Sequence, residues 1–587
     1  MTPNSCSQTA AAAAACLDLT AVSDLIARQH WSRLKALAGT TSAAAAAQLL
    51  HLLLDSPHAN PPTLRLLFRW SESHFRSPQP LPLHCRLLHS LAAAKLYSDL
   101  RFELHSLAKS GRHSAPSILH SLSISGDTRR RGASLSVIAD MLVLALVKNS
   151  RTESALEAFY RSRDYGCRLS VLSCNPLLSY LIKEGRIENV EKVYKEMIRR
   201  RIAPNLITFN TMIHGLCKAR KLRRAGDLVE DMKTWGFSPS VVTYNTLIDG
   251  YCKSGQAGKM YKADALLREM VLAKIHPNVV TFNTLIDGYC KDGNSSAAAR
   301  FLEEMKRQEL SPNVVTYNSL INGLCGEGKV DEALGLLKEM DDSNVMPNVV
   351  TFNGIVNGFC KKGMLAEAKG LLDDMLERNV TPSVITFNTL IDGHCRSGLM
   401  EDAIALKRLM SGSGIRPNVS TYNCLISGFC RNGDMSSATK LLDEMEENDV
   451  KADLITYNVL ISALCREGKM AKAVKLLDEM QDIGLQPSHV TYNTLIDGLC
   501  KKGNLRAALN IRARMEKGGK HANVVTYNIL IKHFSGRGKM HEANELLNEM
   551  LEKGLVPNRV TYDIIKEDMV ERGYIPDIDG HLCNDAA

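Results

Sequence analysis

Eleven asparagines recur in near-identical settings: Asn175, Asn210, Asn245, Asn283, Asn318, Asn353, Asn388, Asn423, Asn458, Asn493 and Asn528. Successive members are 35 residues apart, except for a 38-residue step from Asn245 to Asn283. Eight residues after most of them stands a cation: Lys183, Lys218, Lys253, Lys291, Lys361, Arg396, Arg431, Arg466 and Lys501, with Gly326 and Gly536 in the two other places. Placing each asparagine fifth in its unit puts the cation at position 13. Position 9 between them is polar, for example Asp249, Asp392 and Asp497. Steps of four along a helix drift by only about 40°, so positions 5, 9 and 13 form one stripe roughly 12 Å long. The simplest reading of any single lysine is a solvated helix face. A cation in nine of eleven units at one phase, beside an amide that can donate and accept hydrogen bonds, favours a track for a polyanion.

A helix must present that stripe. In the unit from Leu454 to Ser488, the residues Tyr457, Leu460, Ile461, Leu464 and Cys465 follow helical spacing, and Thr456 is the expected N-cap. Gly468 predicts a helix end. Met470, Ala473, Val474, Leu477 and Met480 predict a second helix, which Gly484 and Pro487 stop. Two amphipathic helices cannot bury both apolar faces alone, so the units must stack on one another. The period therefore predicts an all-α fold, a solenoid of stacked helix-turn-helix hairpins.

The remaining chain divides around this array, 171–558. Residues 1–60 are rich in Ala and Ser, a composition compatible with a transit peptide or a flexible low-complexity leader, although no Arg or Lys precedes Arg28. A helical N-terminal region is expected over 61–135, with Arg129, Arg130 and Arg131 as a linker. A degenerate unit follows over 136–170, where Asp140 holds the fifth place and earns no reading role. After the array come a shortened capping unit, 559–577, and a tail, 578–587. The three extra residues of the long unit fall around Gln256 to Lys262, and the register resumes at Ala263. Leu135 to Val147 is too short and polar to span a bilayer, so no membrane partner is expected.

Nine cysteines, Cys217 through Cys500, share one place on the apolar face, one per unit. That regularity favours a small buried hydrophobe over disulfides or metal ligands. Eleven methionines, Met197 through Met550, recur near the end of the second helix and are expected in the core. No P-loop, no GxGxxG and no HExxH occurs, so the expectation is no enzyme, no cofactor and no metal.

The stretches VVTYNTLIDGYCKSG from Val241 and SHVTYNTLIDGLCKKGNLRAALNIRARM from Ser488 resemble the pentatricopeptide repeats of plant organellar RNA-binding proteins, P subfamily, over about two thirds of the chain. The resemblance implies a right-handed superhelix on single-stranded RNA, one base per unit. Its reading residues would be the fifth and the last of each unit. These are Asn175 with Asn205, Asn210 with Ser240, Asn245 with Asn278, Asn283 with Asn313, Asn318 with Asn348, and Asn353 with Ser383. They continue as Asn388 with Asn418, Asn423 with Asp453, Asn458 with Ser488, Asn493 with Asn523, and Asn528 with Asn558. The second residues would stack between bases: Leu172, Ile207, Val242, Val280, Val315, Val350, Ile385, Ile455, Val490 and Val525. Ser420 departs from that pattern. In the family, fifth-place Asn favours pyrimidines, with last-place Asp favouring U and Asn or Ser favouring C or either. The implied target is thus pyrimidine-rich, with U opposite Asn423 and C opposite Asn210, Asn353 and Asn458.

Related editing proteins end in a zinc deaminase-like domain, but here Cys583 stands without a partner cysteine, so deamination is not expected. What remains is occupancy of RNA by a monomer, with splicing or processing co-factors as partners. Family frequency points to intron splicing in the mitochondrion. The alternatives are transcript-end stabilisation, translation activation, and the chloroplast. A protein-binding scaffold of the tetratricopeptide kind is the reading from another class, but its Trp and Leu-Gly signature is missing.

Overall fold

The structure, a computed structural model, describes residues 19–38, 43–56, 60–125, 131–254 and 260–570. Among the described residues every element is helical, and the chain is an all-α repeat solenoid. It divides into two compact units, Met1–Gly288 and Tyr289–Ala587. Residues 1–18, Arg129, Arg130, residues 571–577 of the expected capping unit, Cys583 and the tail 578–587 lie outside the described residues, as do residues 255–259 of the long turn.

Each repeat is the expected hairpin, but its first helix begins earlier than the apolar pattern suggests. In the unit read above the helices are Leu454–Glu467 and Met470–Asp482. Thr456 is not the N-cap. Asp453 is, its carboxylate accepting the Thr456 N–H at 2.9 Å while Thr456 Oγ1 accepts the Asp453 N–H at 3.2 Å. This reciprocal capping box was hidden because Ile455 in the first turn faces solvent, which delays the inward periodicity. The same box closes the start of helices Leu206–Lys218, Val241–Cys252 and Val349–Lys362 on Asn205, Ser240 and Asn348. The last residue of one unit is therefore also the cap of the next. Gly468 and Gly484 adopt left-handed angles, φ 75° and 83°, as their places in the turns require.

The methionines Met197 through Met550 are fully buried, as expected of core fillers. The cysteines have a more specific partner. Within the second unit, a Cβ built on Gly358 would lie 2.7 Å from Cys325 Sγ, and one on Gly323 would lie 2.4 Å from Cys290 Sγ. Successive first helices thus approach so closely that one presents a glycine where its predecessor presents a thiol. Burial pushes the thiols of Cys325 and Cys217 up to about 11 and about 12, so they stay neutral and unreactive at physiological pH.

This contact gives a test by one substitution with two signs. Gly358→Ala forces the Cys325 contact and is expected to destabilise by about 1–3 kcal/mol. Gly370→Ala, in helix Leu365–Glu377 with open space around it, is expected to stabilise by about 0.5–1 kcal/mol. Thermal or urea unfolding of the two variants reads both, and a shared sign would refute the close-approach account.

Toward the N-terminus, helices Leu19–Ala27, Trp31–Ala38 and Ala43–Asp55 fall within the stretch read as a leader. Their Val22, Ile26, Leu34 and Leu49 are buried in one core with Leu64 and Phe68. In the long unit the second helix starts at Met260, and Ala263 is buried at the place that Ala225 holds in the unit before. No described helix is long and apolar enough to cross a membrane.

Candidate nucleic-acid interface

The ten second-place residues are all exposed, from 50% at Val525 to 72% at Leu172. Large aliphatic side chains at such exposure, at one phase of the repeat, form an apolar row on each of the two compact units that the packing does not use. Val560, in the shortened last unit, extends the row and was missed by the sequence reading. All nine position-13 cations are exposed as well. Several have acidic neighbours one turn earlier: Lys253 pairs with Asp249 at 2.8 Å, Arg396 with Asp392 at 2.6 Å, and Lys501 with Asp497 at 2.7 Å. Arg431 also lies 3.8 Å from Asp392. Burial works against the Asp497 carboxylate, yet Lys501 and His533 hold its carboxyl below the usual range.

The fifth-place amides are held by a bond that sequence reasoning did not foresee. Asn423 Oδ1 accepts the Thr456 hydroxyl at 2.6 Å, and its Nδ2 donates to Asp453 Oδ1 at 3.1 Å. A carboxylate has no proton to give, so the atom facing Asp453 must be nitrogen, which turns the oxygen toward Thr456. In the first unit Thr208, Thr243 and Thr281 donate in the same way to Asn175, Asn210 and Asn245 at 2.7–2.8 Å. In the second unit Thr351, Thr386, Thr491 and Thr561 do so for Asn318, Asn353, Asn458 and Asn528 at 2.6–2.8 Å. The signal was the Thr two places before every repeated Asn but the first, where Ser173 stands, and in Thr456 it was taken for a helix cap.

This arrangement narrows the chemistry. The amide was expected to offer both donor and acceptor; its oxygen already accepts one hydroxyl proton inside the protein, which leaves it a single lone pair beside the N–H donors of its nitrogen. Asn175 Nδ2 also donates to Asn205 at 3.1 Å, Asn318 to Asn348 at 3.3 Å, and Asn528 to Asn558 at 3.1 Å. Where the unit ends in serine, at Ser240, Ser383 and Ser488, the shorter side chain makes no such bond. The amides are half-buried, and Asn318, Asn493 and Asn528 are 6–9% exposed. The predicted pairs are therefore brought together, but low in the surface, below the exposed aliphatic row. Asp140 of the degenerate unit accepts the Ser170 N–H at 2.9 Å and the Ser173 hydroxyl, so its carboxylate is used internally.

In the first unit the three kinds of residue meet in one place. A groove of about 550 Å³ is lined by the aliphatic Ile207 and Val242, the amide of Asn210, and the cations Lys183 and Lys218, with His214 between them.

The sequence matches the PPR repeat family in eleven consecutive stretches, from 169–218, 204–253 and 254–291 through to 487–535 and 522–567. A mitochondrial pentatricopeptide repeat-containing protein of Arabidopsis thaliana is 31% identical over 143 residues, which covers 24% of this chain and 26% of the relative. A second Arabidopsis thaliana protein of that kind is 31% identical over 155 residues, 25% of this chain and 22% of the relative. The chain thus aligns with about a quarter of the length of these relatives. Among solved structures, the maize pentatricopeptide repeat protein PPR10 aligns over 94% of this chain and 91% of its own, with 21% identity and a TM-score of 0.38. The same protein in complex with an 18-nt psaJ RNA element aligns over 90% of this chain and 96% of its own, with a TM-score of 0.32. With the family matched from residue 169 to residue 567, over the hairpins that carry the Thr–Asn bonds and the aliphatic row, the chain belongs to the PPR repeat family.

Proposed function

We propose that this chain binds single-stranded RNA in a sequence-specific way, one nucleotide per repeat, on the face that carries the aliphatic row, the amides and the cations. The groove around Asn210 carries the reading, because it combines surfaces suited to a base face, a base edge and a phosphate. The outward amide nitrogen is a donor, and cytosine and uracil both carry the O2 carbonyl that can accept from it, in keeping with a pyrimidine-rich target. Family membership supports the same reading.

Asp453 supplies the test. Burial opposes its charge, but the Thr456 N–H and the Asn423 amide hold its carboxyl below the usual range, so at neutral pH it only accepts hydrogen bonds. Uracil offers a donor at N3, whereas cytosine offers an acceptor there. Asp453→Asn preserves the cap and the reach of the side chain, since asparagine caps at equivalent positions. Selection from a randomised RNA pool is expected to show U preference lost by roughly tenfold at one nucleotide, with the others unchanged. A uniform loss, or no change, would refute the assignment.

The bound protein acts by occupancy. It excludes nucleases and keeps the strand from pairing with itself, with no bond made or broken. The compartment is an organelle, the mitochondrion ahead of the chloroplast, and the process is intron splicing ahead of end protection or translation activation. A leader removed within residues 1–18 would leave the core of Val22, Ile26 and Leu34 intact. RNA recovered with the tagged protein, compared with organellar transcripts of a loss-of-function line, tests compartment and process together.

A further inference from the structure

One repeat departs from the others at three places that meet in space. In the unit around Asn388, position 11 is His394, where the ten other units carry Leu, Phe or Tyr, such as Leu324, Phe359 and Phe429. Position 16 is Leu399, where eight others carry Lys, Arg, Asn or Asp. Position 26 is Leu409, where nine others carry Glu or Asp and the tenth carries Arg514. Packing and solvation shared by all repeats set such positions, so three departures in one unit mark a local demand. All three residues line one groove of about 460 Å³ between helices Leu365–Glu377 and Met400–Gly412, against helix Val384–Arg396.

The groove is apolar with one buried acceptor. Leu399 and Leu409 are each 46% exposed, and Leu365, Ala366 and Leu406 complete the apolar lining. His394 is 5% exposed, and its Nδ1 lies 2.9 Å from the Leu390 carbonyl oxygen. A carbonyl only accepts, so Nδ1 carries a proton, and Nε2 of the neutral ring is an acceptor without a partner. Unlike His84 Nε2, this atom is not sealed from solvent, and the imidazole lines the groove. His394 follows Asp392 by two residues, about 200° around the helix axis, so it points away from the stripe of positions 5, 9 and 13.

The rim is acidic. Lys369 and Asp402 stand on it. Asp373 and Glu377 follow Lys369 at one-turn steps on the same helix face, and Glu401 precedes Ala405 by one turn, with Arg408 beyond. These four acids and two cations are all exposed, and none has an ion-pair partner among the described residues.

We propose that this groove docks a segment of another protein that inserts a tryptophan or tyrosine, with basic residues beside it. The ring lies among Leu399, Leu406 and Leu409, its N–H or O–H donates to His394 Nε2, and the basic residues face the acidic rim. Such a side chain buries a large ring and places one donor, which makes it a common anchor of protein interfaces. An RNA strand fits less well, because its phosphates would meet the acids. The proposal does not rest on the reading of the repeats.

The experiment uses the full chain. Short peptides displayed from a randomised library are selected on it and counter-selected on Leu399→Lys combined with Leu409→Glu. Both changes install residues that other units carry at those places, so the thermal midpoint should hold. Selected peptides are expected to share a Trp or Tyr near Lys or Arg and to bind the double variant at least tenfold more weakly. Replacing that Trp by benzothienylalanine, or that Tyr by Phe, keeps the ring, removes the donor and should weaken binding by about tenfold. His394→Phe, which installs the residue of Phe359 and Phe429, should abolish that difference. If the double variant unfolds, His394→Phe alone serves. A selection that yields no groove-dependent peptide, peptides without an aromatic residue, or donor removal without effect overturns the proposal. Displacement of the peptide by single-stranded RNA would assign the groove to RNA and overturns it as well. Loss of base preference in the repeats would leave this result untouched.

Discussion

Replacing Asp249, Asp392 and Asp497 together by asparagine is expected to raise the affinity for single-stranded RNA by about tenfold near physiological salt and to steepen its salt dependence. Nine position-13 cations, each meeting one phosphate, would give a slope of log affinity against log salt of roughly −6. The ion pairs lower that figure. Lys253, Arg396, Arg431 and Lys501 already face a carboxylate, so a phosphate there displaces an internal anion instead of releasing a counterion. With these cations engaged, the slope of the native protein is expected to be clearly shallower than −6, and the triple variant should move toward −6. The chosen acids are partly exposed, so each pair contributes little to folding and the variant should remain folded. Asp373→Asn, Glu377→Gln and Glu401→Gln together, exposed on second helices, are the control: they change net charge equally and should leave the slope alone. Equal slopes in the native protein and the triple variant would remove the position-13 track from the account.

The period, the hairpin, the buried Met and the buried or half-buried Cys were legible in the sequence because each is a matter of helical spacing repeated many times, and packing enforces that spacing. The site was legible to the level of positions but not of bonds. Thr456 looked like a cap because hydroxyls favour caps. It instead completes a box with Asp453 and passes its proton to Asn423 of the preceding unit, a partner 33 residues away that no local pattern reveals. For the same reason the last residue of each unit carries two demands that the sequence cannot separate. Asn, Asp and Ser are what a helix cap requires, and they are also what a base edge would meet. The Cys–Gly contact was half visible: the cysteines were read as buried, but the glycine opposite seven of the nine comes from the first helix of the next repeat. The N-terminal helices escaped because their alanine runs carry little periodicity, and only Val22, Ile26, Leu34, Leu49, Leu50 and Leu53 mark the buried face around those runs.

That double demand makes the aliphatic row the cleaner probe of binding, since it has no capping or packing duty to confound the result. Val315→Ser, Val350→Ser and Ile385→Ser together are expected to weaken RNA binding by about a hundredfold or more, with the thermal midpoint nearly unchanged. Each of these side chains is more than half exposed in the free protein, so truncation removes few internal contacts. If bases cover that surface in the complex, burying it contributes about 1 kcal/mol per residue, and three such losses multiply to 10²–10³ in dissociation constant. The loss should be equal for matched and mismatched RNA, because a base face is available on every nucleotide and carries no sequence information. The chain also contains the reverse case. Ser420 is exposed at the one second place without an aliphatic side chain, and Ser420→Val is expected to tighten binding by roughly fivefold. A row that served only as a tolerated surface would show neither effect, and one that served protein docking would show neither in a purified RNA-binding measurement. Gain at Ser420 with loss at its neighbours would tie the exposed aliphatic positions to the bases themselves.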